Sequence, residues 1–388
     1  MKLAKRVERV SPSLTLAITA KAKKLRSEGV DIVSFAAGEP DFDTPSHIKG
    51  AAMAAIKEGF TKYTPASGML ELKEAVSKKL ECENGLVYPP PSISISCGAK
   101  HSLYNIFQAI CQEGDEVIIP SPYWLSYPEM VKLAGATPVF VQAHEENGFR
   151  VNIDDLKKAL TKNTKALILN SPSNPTGSIY GDGDLKEIAD LAVSKGIAVV
   201  SDEIYEKIIY DGQKHTSIAS LGNKIKDISI VVNGVSKSYS MTGWRIGYIA
   251  APSDVIVAIN KIQSHSTSNP ASISQKAALE AITGDQTSVK DMVKEFSIRR
   301  DLITGGLSKI KGFKVFKPQG AFYVFCNITG TKIDSLTLTN RLLDEASVAV
   351  IPGRPFGSDS HIRLSFANSS SEIKKGLDRI GKWVKEKL

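Results

Sequence analysis

Apolar and polar positions alternate along this chain in two different rhythms. Short β-branched or apolar runs, each four to six residues long, read as buried strands: Ser92 to Ser96, Glu116 to Pro120, Thr137 to Val141, Ala166 to Leu169, Ala198 to Ser201, Ile228 to Val232 and Ile246 to Ala250. Between several of them the apolar residues recur at helical spacing, as in His101 to Cys111, Ile153 to Leu160 and Asp184 to Ser194. Ahead of this region lie helical patterns over Ser13 to Gly29, Ser46 to Glu58 and Leu70 to Glu83, with a short strand over Val30 to Phe35. Strands interleaved with helices predict an α/β fold with a mostly parallel, doubly wound sheet, whose ligands bind beyond the carboxyl ends of the strands. After about residue 270 the rhythm changes. A long helical stretch, Ser272 to Ile310, precedes strands at Phe313 to Phe316, Gly320 to Phe325, Val348 to Ile351 and His361 to Phe366, which read as an antiparallel sheet with one exposed face. A terminal helix closes a smaller second domain that also collects the N-terminal segment.

Composition narrows the class. The 388 residues suffice for two domains, and 42% apolar with 23% charged residues is the balance of an ordinary globular protein. No run of eighteen apolar residues exists, so no membrane span is expected, and Met1 to Val10 lacks a signal-peptide core. Cys82, Cys97, Cys111 and Cys326 are scattered without metal spacing, which points to a reducing cytoplasm and no metal. The net charge of +8 is spread along the chain rather than gathered in a nucleic-acid motif, and it favours small acidic substrates.

Chemistry concentrates in Val231 to Tyr248. The apolar run ends at Asn233-Gly234, read as a turn, and Lys237 follows among Ser236, Ser238 and Ser240. A lysine partly desolvated at a strand end has a lowered pKa and a free amine for Schiff-base chemistry. Arg245, within Gly243-Trp244-Arg245-Ile246-Gly247, suits a phosphate dianion. Cys97-Gly98-Ala99-Lys100 turns from a strand into a helix, a second anion element. Asp202, at a strand end, is either a helix N-cap or a buried carboxylate awaiting a cation. Arg363 alternates out of an apolar strand and is either solvated or a bidentate carboxylate ligand. Gly38, in Ala36-Ala37-Gly38-Glu39-Pro40, leaves room for a ligand to approach the backbone.

Together these segments resemble the class I/II aminotransferases that depend on pyridoxal 5′-phosphate, most nearly the bacterial-type (Iβ) aspartate aminotransferases, some of which also transaminate prephenate. Gly234, Val235, Ser236, Lys237, Gly243, Arg245 and Gly247 match the cofactor-attachment signature, AAGEPDFDTP matches the segment before the first large-domain helix, and the resemblance covers essentially the whole chain. It implies a fold type I enzyme with a seven-stranded sheet, a large domain over 46–295 and a small domain from 1–45 and 296–388. The resemblance assigns Lys237 the Schiff base and the proton transfer, and Asp202 the ring nitrogen. Asn174 and Tyr205 would take the ring oxygen, and Trp124 the ring face. Gly98, Ala99, Lys100, Ser236, Arg245 and a partner subunit's Tyr63 would surround the phosphate. Arg363 and Gly38 would hold the substrate α-carboxylate, with Trp124 and Asn174 beside it. Lys100, Ser13 and Thr15 occupy places used for a distal carboxylate, although Lys100 also suits a solvent-facing position. The implied activity is ping-pong amino transfer from L-aspartate to 2-oxoglutarate, with prephenate as a second acceptor, by a cytoplasmic homodimer. Two departures stand out: Gly234 replaces a serine many relatives carry, and the eukaryotic branch's distal arginine has no match. Rival readings are an aromatic or alanine-type aminotransferase or a C–S lyase on the same cofactor, and a ligand-sensing regulator. The regulator would carry a DNA-binding domain ahead of the motif. A nicotinamide dehydrogenase lacks its Gly-x-Gly-x-x-Gly.

Overall fold

The structure, a computed structural model, describes residues 3–388; Met1 and Lys2 of the segment assigned above to the small domain lie outside the described residues. The predicted strands assemble into one seven-stranded sheet. Its order from one edge is Ile93–Ser96, Gly247–Ala250, Ser229–Gly234, Ala198–Asp202, Thr164–Asn170, Glu116–Ser121 and Thr137–Gln142. Gly247–Ala250 runs antiparallel to both neighbours, and the remaining pairs are parallel. The inner strands Thr164–Asn170, Ala198–Asp202 and Ser229–Gly234 are largely buried because both faces are covered, whereas the edge strand Thr137–Gln142 is mostly exposed or half-buried. Ile168, Val200 and Ile230 pack under the helix Ala99–Ile110, while Leu167 and Val199, one residue out of phase, pack under the helix Asp182–Lys195.

Asn233-Gly234 is not a turn. Both residues lie in the strand Ser229–Gly234, where Gly234 pairs with Gly247, and a Cβ on Gly234 would stand 2.8 Å from the Ile246 carbonyl oxygen. The glycine serves a close strand-to-strand approach rather than a reversal. Ser272 to Ile310 is likewise not one helix. It breaks into Ser272–Thr283 and Thr287–Leu307 at Gly284-Asp285, where the Asp285 carboxylate accepts the Thr287 N–H and starts the second helix.

The second sheet has four strands in the order Ile351–Pro352, His361–Ser365, Tyr323–Asn327 and Lys314–Val315, all antiparallel. The predicted run Val348 to Ile351 is divided. Val348–Ala349 instead pairs in parallel with Val33–Ser34 in a separate two-stranded sheet. The expectation of one exposed face fails as well, since every residue of His361–Ser365 is buried. One face packs on Phe296, Leu342 and Ile380 from three helices, and the other carries Phe325 against Phe149, Phe356 and Ile18. We propose the same division of domains as above; its boundary at residue 295 falls inside the continuous helix Thr287–Leu307. No helix among the described residues is long and apolar enough to cross a membrane.

Candidate active site

A cavity of about 510 Å³ opens at the carboxyl ends of the large sheet. Parallel strands deliver its residues in turn. Trp124 follows Glu116–Ser121, Asn174 follows Thr164–Asn170, Asp202 ends Ala198–Asp202, and Lys237 follows Ser229–Gly234. Arg245 precedes Gly247–Ala250, but that strand runs backwards, so its beginning lies at the same edge. The small sheet adds Arg363, and the N-terminal segment adds Thr15 and Gly38.

Lys237 sits partly buried on the cavity floor, and its Nζ donates to the Gly38 carbonyl at 2.6 Å. Burial pushes its pKa down to about 8; Arg245, Arg363 and Lys100 push the same way, and Glu39 opposes them. A neutral amine is therefore accessible near physiological pH, as nucleophilic or basic chemistry requires.

The anion end is built by two glycines. Gly98 has φ +90°, and a Cβ there would lie 2.2 Å from Arg245 Nη2; a Cβ on Gly247 would lie 2.3 Å from the Ala99 nitrogen. Without side chains the two segments cross closely, and the guanidinium stands at the start of the helix Ala99–Ile110. Arg245 donates to the carbonyls of Thr242 at 2.8 Å and Cys97 at 3.2 Å, and no carboxylate neutralises it among the described residues. Guanidinium, helix N-terminus and Ser236 make a receptor suited to phosphate.

Asp202 is buried. Its carboxylate accepts the Tyr127 hydroxyl at 2.6 Å and the Ile204 N–H at 3.3 Å. Burial still raises its pKa to about 6, which the Tyr127 and Ile204 hydrogen bonds only partly offset. A cation is the partner that would offset the cost of burying such a carboxylate. Asn170 fixes the loop above it, donating to the Asp202 carbonyl at 3.0 Å and accepting the Asn174 N–H at 2.8 Å.

Arg363 is buried, and burial lowers its pKa. It donates to Asn174 Oδ1 at 3.2 Å and the Ala36 carbonyl at 3.0 Å, while its Nε has no partner. A buried guanidinium without an acid is costly, and an incoming carboxylate would satisfy it. Lys100 Nζ lies 5.0 Å from the centroid of the Trp124 ring, also within the cavity wall. Four cations face two carboxylates, Asp202 and Glu39, so the cavity favours anions.

Three expected residues stand apart. Ser13 caps the helix Leu14–Ser27 by accepting the Leu16 N–H, and its hydroxyl lies 2.9 Å from Thr15 Oγ1; of these two, Thr15 alone reaches the cavity wall. Gly98 acts from behind Arg245. Tyr63 is 90% exposed and outside the cavity of its own chain. Conversely, Tyr127, Tyr323, Asn170, Glu39 and Thr242 line the cavity and were not foreseen. Thr242 Oγ1 donates to Glu39 Oε2 at 2.6 Å and ties the loop at Gly38 to the segment that bears Arg245. Tyr127 lies three residues after Trp124, in the first turn of the helix Ser126–Leu133, and the two rings meet edge-on at 5.3 Å.

A protein-family model, aminotransferase class I and II, matches residues 30–380. The chain belongs to that family. Aspartate aminotransferase of Bacillus sp. strain YM-2 is 50% identical over 390 residues, covering 99% of both chains. A probable aspartate/prephenate aminotransferase of Aquifex aeolicus is 46% identical over 389 residues, covering 99% of both. Among solved structures, the Thermus thermophilus aspartate aminotransferase with maleate superposes with a TM-score of 0.95 at 44% identity, over 98% of this chain and 99% of that one. The protein is an aminotransferase of this family, and the doubly wound fold expected of such an enzyme is the one observed.

Proposed function

We propose that this aminotransferase moves the amino group of L-aspartate to 2-oxoglutarate with pyridoxal 5′-phosphate as cofactor, and takes prephenate as a second acceptor. The observation that carries the reading is one cavity uniting a lysine of pKa about 8 with a buried, cation-seeking carboxylate and two unneutralised arginines. The names of the full-length relatives support the substrate.

The residues present fit the cofactor. Arg245, Ser236 and the helix start behind Gly98 and Ala99 would hold its phosphate. Asp202 would hold its ring nitrogen, Asn174 and Tyr205 its ring oxygen, and Trp124 its face. Bound there, the group supplies an aldehyde carbon for the amino group and a ring that accepts the electron pair left when the Cα proton departs. The protein's part is positional and acid–base. Lys237 would take the Cα proton and deliver it to the carbon on the other side of the transferring nitrogen, a task suited to an amine half-neutral near pH 8. Asp202, ionised, would hold the ring nitrogen in its protonated form. Arg363 fixes the α-carboxylate and so the direction of the Cα–H bond. Lys100 and Thr15 would receive the distal carboxylate of a C4 or C5 diacid.

A homodimer belongs to the same proposal: Met53, Ile56, Tyr63 and Leu70 expose apolar surface within one short stretch of chain. Cytoplasmic location is proposed on the four free cysteines. The test is to titrate the purified, cofactor-loaded protein with L-aspartate and no oxo acid. One oxaloacetate per site, with conversion of the visible absorbance, supports the reading; an unchanged spectrum with no oxaloacetate refutes the aspartate assignment.

A further inference from the structure

We propose that Tyr323 is a positioning residue that joins the carboxylate-binding and cofactor-binding halves of the site, seating Arg363 with its ring and polarising Tyr205 with its hydroxyl. The proposal rests on the roles given above to Arg363 and Tyr205.

The placement follows from strand register. Tyr323–Asn327 pairs antiparallel with His361–Ser365, with Phe325 opposite Arg363 and Tyr323 opposite Ser365. Tyr323 and Arg363 are therefore diagonal neighbours on one face, within reach of a ring and a long side chain. The guanidinium carbon lies 4.5 Å from the Tyr323 ring centroid and 5.2 Å from that of Phe356. Two aromatic faces thus hold a cation whose Nε has no partner, leaving its polar edge for a ligand.

The hydroxyl end reaches elsewhere. Tyr323 Oη and Tyr205 Oη are 2.9 Å apart, and both side chains are buried. A Cβ built on Gly38 would lie 3.5 Å from the Tyr323 hydroxyl, so the Gly38 backbone borders the same point. Burial raises the Tyr323 pKa, and the adjacent Arg363 charge and the Tyr205 hydrogen bond offset that only in part, so the hydroxyl stays protonated and able to donate. When Tyr323 donates to Tyr205, the Tyr205 proton turns outward toward the cavity as a stronger donor, because bonds in a chain polarise one another. A carboxylate arriving at Arg363 offsets the charge over the Tyr323 ring, and the hydroxyl chain carries that change to Tyr205.

Two substitutions separate the functions. Tyr323→Phe keeps the ring and loses the hydroxyl; Tyr323→Leu loses both. In the cofactor-loaded protein, the visible absorbance is titrated against pH with and without maleate, and maleate affinity is measured for the cofactor-free protein. Tyr323→Phe should raise the pH midpoint by about half a unit to one unit, since an anionic ring oxygen loses stabilisation. It should also shrink the shift that maleate causes, while binding maleate like the wild type. Tyr323→Leu should weaken maleate about three- to thirtyfold. An unchanged midpoint in Tyr323→Phe overturns the proposal, even if Tyr323→Leu folds poorly; so does wild-type maleate affinity in Tyr323→Leu. A wild-type protein without titrating absorbance would instead overturn the cofactor reading, and this proposal with it.

Discussion

Replacing Asp202 with asparagine should stabilise the cofactor-free protein and disable the enzyme. The buried carboxyl has a pKa of about 6 against an ordinary 3.8. It therefore binds its proton more tightly folded than unfolded, and between those values stability falls as pH rises. The difference is about two pH units, which corresponds to about 3 kcal/mol of lost stability once pH is well above 6. At pH 5 linkage gives roughly half of that. Asparagine carries no charge, and its side chain suits the site: Oδ1 can accept the Ile204 N–H while Nδ2 donates to the Tyr127 oxygen. For a chain of this length, 3 kcal/mol corresponds to about 4 °C in Tm. Calorimetry of cofactor-free wild type and Asp202→Asn at pH 5 and 7.5 measures both numbers. Turnover of the loaded variant should fall by about two to three orders of magnitude, as for a buried ion pair that loses one partner. Equal Tm values at pH 7.5, or a gain no larger there than at pH 5, would refute the claim that burial of this carboxylate is what stores the energy.

Lys237→Ala should abolish amino transfer with the fold retained by circular dichroism; measurable turnover would end the proposed mechanism. In the cofactor-free protein, Lys237 should react with an amine-directed reagent with a midpoint near pH 8, and mass spectrometry finding a midpoint near that of surface lysines would contradict the burial argument. Lys100→Ala should cost dicarboxylic donors at least tenfold more in kcat/KM than alanine, on the scale of a lost charge-assisted hydrogen bond; equal losses would remove Lys100 from the substrate site. Gly98→Ala should weaken cofactor binding by about tenfold or more, because this positive-φ, extended backbone conformation, essentially confined to glycine, alone strains an L-residue by about 1–3 kcal/mol and the new methyl strikes Arg245. Unchanged affinity in a cofactor titration would mean that the cradle does not depend on that approach.

The large sheet was legible because its inner strands are buried on both faces, which makes them nearly continuous apolar runs. Lys237, Asp202, Asn174 and Trp124 were legible for a related reason: each lies at or just after a strand's carboxyl end. The small sheet was read less well. His361–Ser365 mixes polar and apolar residues, and nothing local reveals that its polar face meets a cavity and an aromatic cluster rather than water. Tyr323 was missed on the same account, since a tyrosine in an apolar strand reads as core until its strand register places it beside Arg363. Tyr127 was hidden among core neighbours of its helix. Asn233-Gly234 misled because the dipeptide that favours a reversal also permits a tight crossing of strands, and only the Gly247 partner distinguishes the two.

The hydrogen bond from Arg363 to the Ala36 carbonyl spans 327 positions of sequence. A ribosome must pass residue 363 before that contact can form, whereas Gly98, Asp202, Lys237 and Arg245 are all present more than a hundred residues earlier. Synthesis therefore imposes an order on the two halves of the site. The phosphate cradle and the lysine can gather while the chain is still emerging, and a cofactor captured then would serve as a template for the sheet. Competence toward substrate must wait for the last strand. Such long-range closure is slow, so refolding from denaturant should restore cofactor binding in an earlier phase than amino transfer.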